Sequence, residues 1–513
     1  MANLDFIKKL YNGKNCYSDH MTEEERNILK IESNVEDIVK ELLERNKIVF
    51  LTGNPGDGKT YIIRNLDGII KEKKIFTETD LNNVKNFKET AESIVSLYKQ
   101  NKPGIIAVNE YPFIQLCKEI KNIDSTIADE IFENKKMIIT YNISKTISGK
   151  TVVIDLNERN ILSPERGLIP ELYEKFIKLL TDDNSNEKII QYNLKACTNE
   201  SVKRQILEIL ELAAANSEHF AIRDILGTFA FMFTAGLSEK YLDMPYYSAL
   251  FEGTNDLLKT IQAFDPIHLS SPELDERLWN GEITGGWLIS RPDKWPNSKE
   301  FDEDIEGAIE CFKNIKRKFF FENDQGYQLL NTQPNEIKKI SETFISFENN
   351  NKKIKEKIIR SINKLFNPNS NDKKQLLIWT THKYDVSLET SAAVSSRYID
   401  SSDLEILMPR PSDWLQNMEY IPNHIILKPR NSDKPVLYMD IDFLQTLNEI
   451  ENGYPVELLS SKYELAASKF LQELNNYNLA DENEDGEIII ASRRKSYKQT
   501  VCIQNNKYNF EEE

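Results

Sequence analysis

The sequence predicts an α/β protein built on a parallel sheet, and three observations carry that reading. Apolar runs of strand length, Ile48-Val49-Phe50-Leu51, Ile105-Ile106-Ala107-Val108 and Thr151-Val152-Val153-Ile154, recur with helical periods between them. Continuous apolar runs of this kind belong to strands buried on both faces. The first run leads into Gly53-Asn54-Pro55-Gly56-Asp57-Gly58-Lys59-Thr60, which fits G-x-x-x-x-G-K-[ST] at every fixed position. From about residue 166 to 262, capped helical periods follow one another, so a helical domain succeeds the sheet.

The glycine-rich stretch is the most specific in the chain. A buried strand delivers the backbone to a tight loop whose N–H groups converge on phosphate oxygens, and side chains at the glycines would block that approach or forbid the φ angles. Lys59 is expected to reach the β- and γ-phosphates and the Thr60 hydroxyl to ligate Mg²⁺. The helix opening at Gly58 aims its N-terminal dipole at the same phosphates. Residues Gly53, Asn54, Pro55, Gly56, Asp57, Gly58, Lys59, Thr60 and Tyr61 are therefore the expected nucleotide-binding set, with ATP and Mg²⁺ as cofactors.

Composition bounds the rest. At 513 residues the length suits roughly three domains. The five cysteines, Cys16, Cys117, Cys197, Cys311 and Cys502, are scattered and never form C-x-x-C, which argues against a disulfide framework or a zinc site and for a reducing compartment. No apolar run has signal-peptide or membrane-span length, so a cytoplasmic protein without a membrane partner is expected. A net charge of −17 does not point to a whole-surface nucleic-acid binder and leaves room for a local basic patch.

In chain order, residues 1–33 read as a polar N-terminal arm and 34–162 as the core around the loop. Ser33 or Asn34 can cap a helix with Val35, Ile38, Val39, Leu42 and Leu43 on one face. A strand is expected at Lys74–Thr77, then a helix over Lys88–Lys99 and the strand that ends in Asn109-Glu110. Four apolar residues ending in an acid is the Walker B pattern, which carries its last side chains to the sheet edge beside Mg²⁺ and the γ-phosphate. Asn109 stands where the metal-associated Asp normally does, and Glu110 is the expected base for the attacking water. Two more strands are expected, Met137–Tyr141 and Thr151–Leu156. Asn157, just past the second and read as closing a central strand, is a candidate contact to the γ-phosphate. Arg159 and Arg166 are candidate arginine fingers toward a neighbouring subunit.

Residues 163–262 read as a helical lid, with helices near Leu172–Leu180 and Val202–Ala215 and one beginning around His219. Arg223 near the start of that last helix either contacts nucleotide across the crevice or pairs with Asp224. Residues 263–400 read as mixed, basic and mostly helical. Between 313 and 374 fourteen Lys and Arg face seven Asp and Glu, with Lys313, Lys316, Arg317 and Lys318 beside Phe319-Phe320-Phe321. Lys352, Lys353, Lys355, Lys357, Arg360 and Lys364 ride a second helix. Such cations either hold a DNA backbone or are simply solvated. Residues 401–513 read as a small α+β domain with no catalytic constellation. The histidines are scattered without ligand or triad spacing.

The loop, the Ile105–Glu110 strand, the strand ending before Asn157 and the helical lid with Arg223 resemble the AAA+ branch of P-loop ATPases. The strings AVNEYPF, HFAIRDILGTFAFM, YYSALFEG, DPIHLSSPELDERLW and KRKFFFEN resemble more closely the DptF-type ATPase of bacterial DNA phosphorothioate-dependent restriction systems. The resemblance implies catalytic roles for Lys59, Glu110, Asn157 and Arg223, metal contacts from Thr60 and Asn109, and an anti-phage role alongside separately encoded restriction subunits. Homo-oligomerisation, a low-turnover nucleotide switch and a general remodelling ATPase stay open as alternatives.

Overall fold

The computed structural model describes residues 3–512 apart from 12–21, 32, 80, 82–86, 142–148, 163–167, 184–186, 216–218, 236–242, 327, 329–339, 341, 345, 383–391, 484–486, 493–497 and 505–506. The chain divides into two compact units, one of residues 1–335 with 410–421, the other of 336–409 with 422–513.

The first unit opens with α1 (Asn3–Tyr11), α2 (Glu23–Ile28) and α3 (Asn34–Glu44). The sheet half then runs β1 (Ile48–Thr52), α4 (Lys59–Asn65), α5 (Asp67–Lys73), β2 (Phe76–Glu78), α6 (Phe87–Gln100), β3 (Gly104–Ala107), α7 (Glu110–Ile123), α8 (Ser125–Lys136), β4 (Ile139–Thr140) and β5 (Thr151–Asp155). Four of these strands form a parallel sheet in the order β2-β3-β1-β5. Every residue of β1, β3 and β5 is buried, which is why those strands read as unbroken apolar runs. Helix α3 buries Val35, Ile38, Val39, Leu42 and Leu43 in this core, as its periodicity predicts.

Two expectations about the sheet are corrected. The Met137–Tyr141 run is not a sheet strand: only Ile139 and Thr140 are extended, and they pair antiparallel with β9 (Arg410–Pro411). The strand before Asn157 is the sheet's last strand, not a central one, yet wholly buried. The segment carrying β9 also supplies Leu415 and Met418 to the sheet core. Its Glu419 accepts from Arg159 Nε at 2.6 Å, with the two side chains 0% and 3% exposed, and its backbone carbonyl accepts from Asn160 N–H. Arg159 is therefore an internal counterion and not a finger offered to a neighbour. Arg166 lies outside the described residues.

The helical half of this unit comprises α9 (Leu168–Asp183), α10 (Lys188–Cys197), α11 (Glu200–Ala215), α12 (Ile222–Thr234), α13 (Tyr246–Glu252), α14 (Asp256–Ile261), α15 (Pro272–Trp279) and α16 (Ile305–Glu322). Helix α12 is apolar all round from Ile225 and is buried along that whole length. Phe229 and Phe233 on it pack against Tyr173 and Phe176 of α9, and Phe231 stacks on Tyr11 of α1 with ring centroids 4.5 Å apart.

Three of the four cations of α16 named above turn inward, while Lys313 is half-exposed and pairs with Glu310 on its own helix. Lys316, Arg317 and Lys318 are 1%, 4% and 5% exposed. Lys316 pairs with Asp275, Arg317 with Asp265 and Glu252, and Lys318 with Glu322. A charge run read along the sequence looks solvated, but the acids that satisfy this one sit mostly on other elements.

The second unit packs the helix Phe347–Phe366 with two antiparallel sheets and two further helices, Ile441–Glu451 and Ser461–Asn476. One sheet has the order β11 (Leu437–Asp440), β10 (His424–Pro429), β8 (Leu404–Leu407). The larger one contains β6 (Gln375–His382), β7 (Ala392–Asp400), β13 (Ile488–Ser492), β14 (Lys498–Gln504) and β15 (Lys507–Glu512), with β12 (Asp481–Glu482) at an edge. Strands β6 and β7 are the extended part of the mixed, mostly helical stretch 263–400. Their pairing partners include β12 and β13, far along the chain, so no local period announces them. On the helix Phe347–Phe366, Lys355 bonds the carbonyls of Ser401 and Leu404, and Arg360 and Lys364 pair with Glu451. Lys352 and Lys353 are exposed.

Glu419→Ala leaves the Arg159 guanidinium buried without its counterion, and should destabilise the first unit by about 3–5 kcal/mol. Urea unfolding followed by tryptophan fluorescence would register it as a lowered midpoint.

Candidate phosphate-binding site

The sheet's C-terminal edge gathers the site. Thr52, the last residue of β1, lies opposite Asp155, the last residue of β5. On the other flank Val108 N–H bonds the Leu51 carbonyl at 3.0 Å, so Asn109 emerges at the edge from which the glycine-rich loop departs. Gly53 and Gly58 have φ of +137° and +89°, the left-handed side of the map that residues with a Cβ rarely occupy. A Cβ on Gly53 would stand 2.6 Å from Asp57 Oδ2, and one on Gly58 would stand 2.9 Å from Ile222 Cδ1.

Lys59 holds the loop closed. Its ammonium donates to the carbonyls of Gly53 (2.9 Å) and Asn54 (2.7 Å), from a side chain that is largely buried. Burial pushes its pKa down, opposed by the charges of Asp57 and Asp155. The Asn54 N–H is shared by two acceptors, Asp57 Oδ2 at 2.5 Å and Asn157 Oδ1 at 3.2 Å. Asp155 in turn accepts from Asn157 N–H at 3.1 Å, which fixes the turn that brings Asn157 to the loop.

The helical half also reaches the loop. A Cβ on Gly56 would lie 3.4 Å from Ala221 Cβ and 3.5 Å from both Cβ and Cζ of Arg223. The start of α12 thus rests on the loop, and Arg223 lies over Gly56. Just before it, His219 Nε2 is 2.8 Å from Asp57 Oδ1.

The remaining predicted residues are placed as follows. Thr60 is half-buried in the first turn of α4, a helix of only seven residues. Pro55 lies within the loop, between Asn54 and Gly56. Tyr61 is half-buried, and burial raises its pKa, with Glu36 and Glu171 nearby. Asn109 occupies the N-cap position of α7 without a side-chain cap bond. Glu110, the first residue of that helix, has both carboxylate oxygens bonded by Lys135 Nζ, at 2.5 Å for Oε2. Lys135 Nζ also lies 3.7 Å from Asp155 Oδ2. Glu110 is thus tied to the β5 end through Lys135.

Asp155, Lys135 and His219 are site residues that sequence patterning passed over. Asp155 carries a readable signal, an acid closing a buried run; Lys135 and His219 carry none, because their partners are remote in sequence. Among the described residues, no group of three or more His, Cys, Asp or Glu side chains is arranged to hold a metal ion. The hydroxyl of Thr60 and the amide of Asn109 suit a Mg²⁺ ion that arrives with phosphate and water oxygens of its own, not one caged by protein alone. Among the described residues, no helix is long and apolar enough to cross a membrane. The chain matches no family model, no curated protein and no solved structure.

Gly58→Ala should cost about 1–2 kcal/mol from the left-handed backbone alone, plus the close contact with Ile222. Adding Ile222→Ala should recover only the contact part, measured as the unfolding midpoint of the two variants.

Proposed function

We propose that this chain binds ATP with Mg²⁺ on the loop Gly53–Thr60 and couples it to the helical half through Arg223. The observation that carries the reading is Lys59, an ammonium bonded to two carbonyls of a glycine-rich loop at the end of a fully buried parallel strand. Such an ammonium retains a proton for a phosphate oxygen, while the glycines leave the loop's inner surface open to backbone contact. Mg²⁺ bound with the nucleotide would neutralise phosphate charge, with Thr60 and Asn109 as the protein groups toward it. Asn157 borders the loop from β5, and Arg223 lies where a cation would meet phosphate charge from the lid side. Glu110 is the group that would orient or deprotonate water. The helical segment α9–α14 then acts as an AAA+-like lid, and α12 resting on Gly56 and Gly58 supports that role.

One observation favours a slower, switch-like protein over a rapid ATPase. Lys135 engages both oxygens of Glu110, and the neighbouring Asn109 brings no charge. A base engaged in an ion pair must first be released, so nucleotide binding would change shape more readily than it turns over.

The wider assignment is a subunit of a bacterial DNA restriction or anti-phage complex that works with separately encoded partners. It rests on the sequence strings given above. Its test is co-purification with the products of adjacent genes, and sizing with and without an ATP analogue tests homo-oligomerisation. Any DNA contact would fall to exposed cations such as Lys352 and Lys353, not to the buried Lys316, Arg317 and Lys318.

Lys59→Ala should abolish ATP binding in isothermal titration calorimetry. Glu110→Gln should remove whatever steady-state turnover the wild type shows, and Asn109→Asp should raise it. Wild-type binding without turnover identifies the switch. Lys352→Glu with Lys353→Glu should weaken salt-sensitive DNA retention in a filter assay; unchanged retention removes this helix as the contact.

A further inference from the structure

Asp57 is a carboxylate set in a loop whose chemistry is to hold anions, and it is 2% exposed. One oxygen accepts the Asn54 N–H and the other meets His219 Nε2. Left uncompensated, this buried charge beside Lys59 would oppose the arrival of a triphosphate. His219 comes from the helical half, two residues before the stretch Ala221–Arg223 that rests on Gly56. One side-chain contact therefore both neutralises the loop acid and tethers the segment that carries Arg223.

We infer that His219 is a positioning residue: its imidazolium neutralises Asp57, readies the loop for phosphate and holds Arg223 over Gly56. The inference rests on the ATP-binding reading of the same loop. Among the described residues, the charged groups facing His219 are Asp57 on the loop and Asp155 and Glu158 at the end of β5, with the Arg159 backbone alongside. Burial alone would lower the pKa of His219. The hydrogen bond and charge of Asp57, joined by Asp155, outweigh burial, and the net shift is upward from the ordinary histidine value. The sign follows: the imidazolium is present below that raised pKa and is lost as pH rises through it, so affinity for ATP falls toward alkaline pH.

The test is ATP binding with Mg²⁺ by calorimetry on the full chain at about pH 6 and about pH 9, for wild type, H219Q, D57N and the double variant. Wild type should bind about tenfold more weakly at the higher pH, the scale of one partly buried charge contact. H219Q should bind weakly at both, without that fall. The double variant should recover affinity relative to H219Q, since no loop acid remains to be neutralised. A purely structural histidine would weaken binding without flattening the pH dependence, and the double variant would stay weak. Retention of the wild-type pH dependence by H219Q, or no recovery in the double variant, overturns the inference while leaving ATP binding intact. A wild type that binds no ATP at either pH overturns the nucleotide reading and this inference together.

Discussion

Strand β1 is hydrogen-bonded on both edges, to β3 on one side and β5 on the other, and this double pairing sets what the site can contain. A parallel sheet delivers all its strand ends to one edge. The residues at and just past the ends of β1, β3 and β5 therefore emerge together: the glycine-rich loop, Asn109-Glu110, and Asp155 with Asn157. Below the loop, Thr52 and Asp155 face each other in register. The loop is closed from within by Lys59 and from behind by Asp57. The charged groups buried here are answered by carbonyls, an amide or an opposite charge, as Lys59 and Asp57 are.

The parts of this arrangement that are local in sequence are legible in the sequence. Ile48 to Thr60 encodes a buried strand and a glycine loop within a few turns of chain, and α3 announces itself by its apolar period. Asp155 carries the same signal that singles out Glu110. What could not be read are pairings between distant residues. His219 meets Asp57 across 162 positions and Arg159 meets Glu419 across 260. No periodicity encodes either, and each changes the meaning of a residue. Arg159 becomes an internal counterion, and Asp57 becomes a charge that another element must answer.

The cations of α16 show the same principle at larger scale. Beside a phenylalanine run, three consecutive basic residues suggest a nucleic-acid surface. In the fold they turn inward to carboxylates from α13, α15, the turn after α14 and their own helix. Removing one partner of such a buried pair costs far more than the pair contributes, because it leaves the other charge buried and uncompensated.

The short segment 410–421 has a consequence for how the protein is made. It belongs to the first unit, where it supplies β9, two core apolar side chains and the counterion of Arg159, yet 74 residues of the second unit (336–409) precede it. During synthesis the continuous stretch of the first unit therefore leaves the ribosome before all of its own residues are available. Until residue 421 has emerged, Leu415, Met418 and the counterion of Arg159 are missing from that unit. The second unit is interrupted in the same way, since 422–513 follow the segment that belongs to the first.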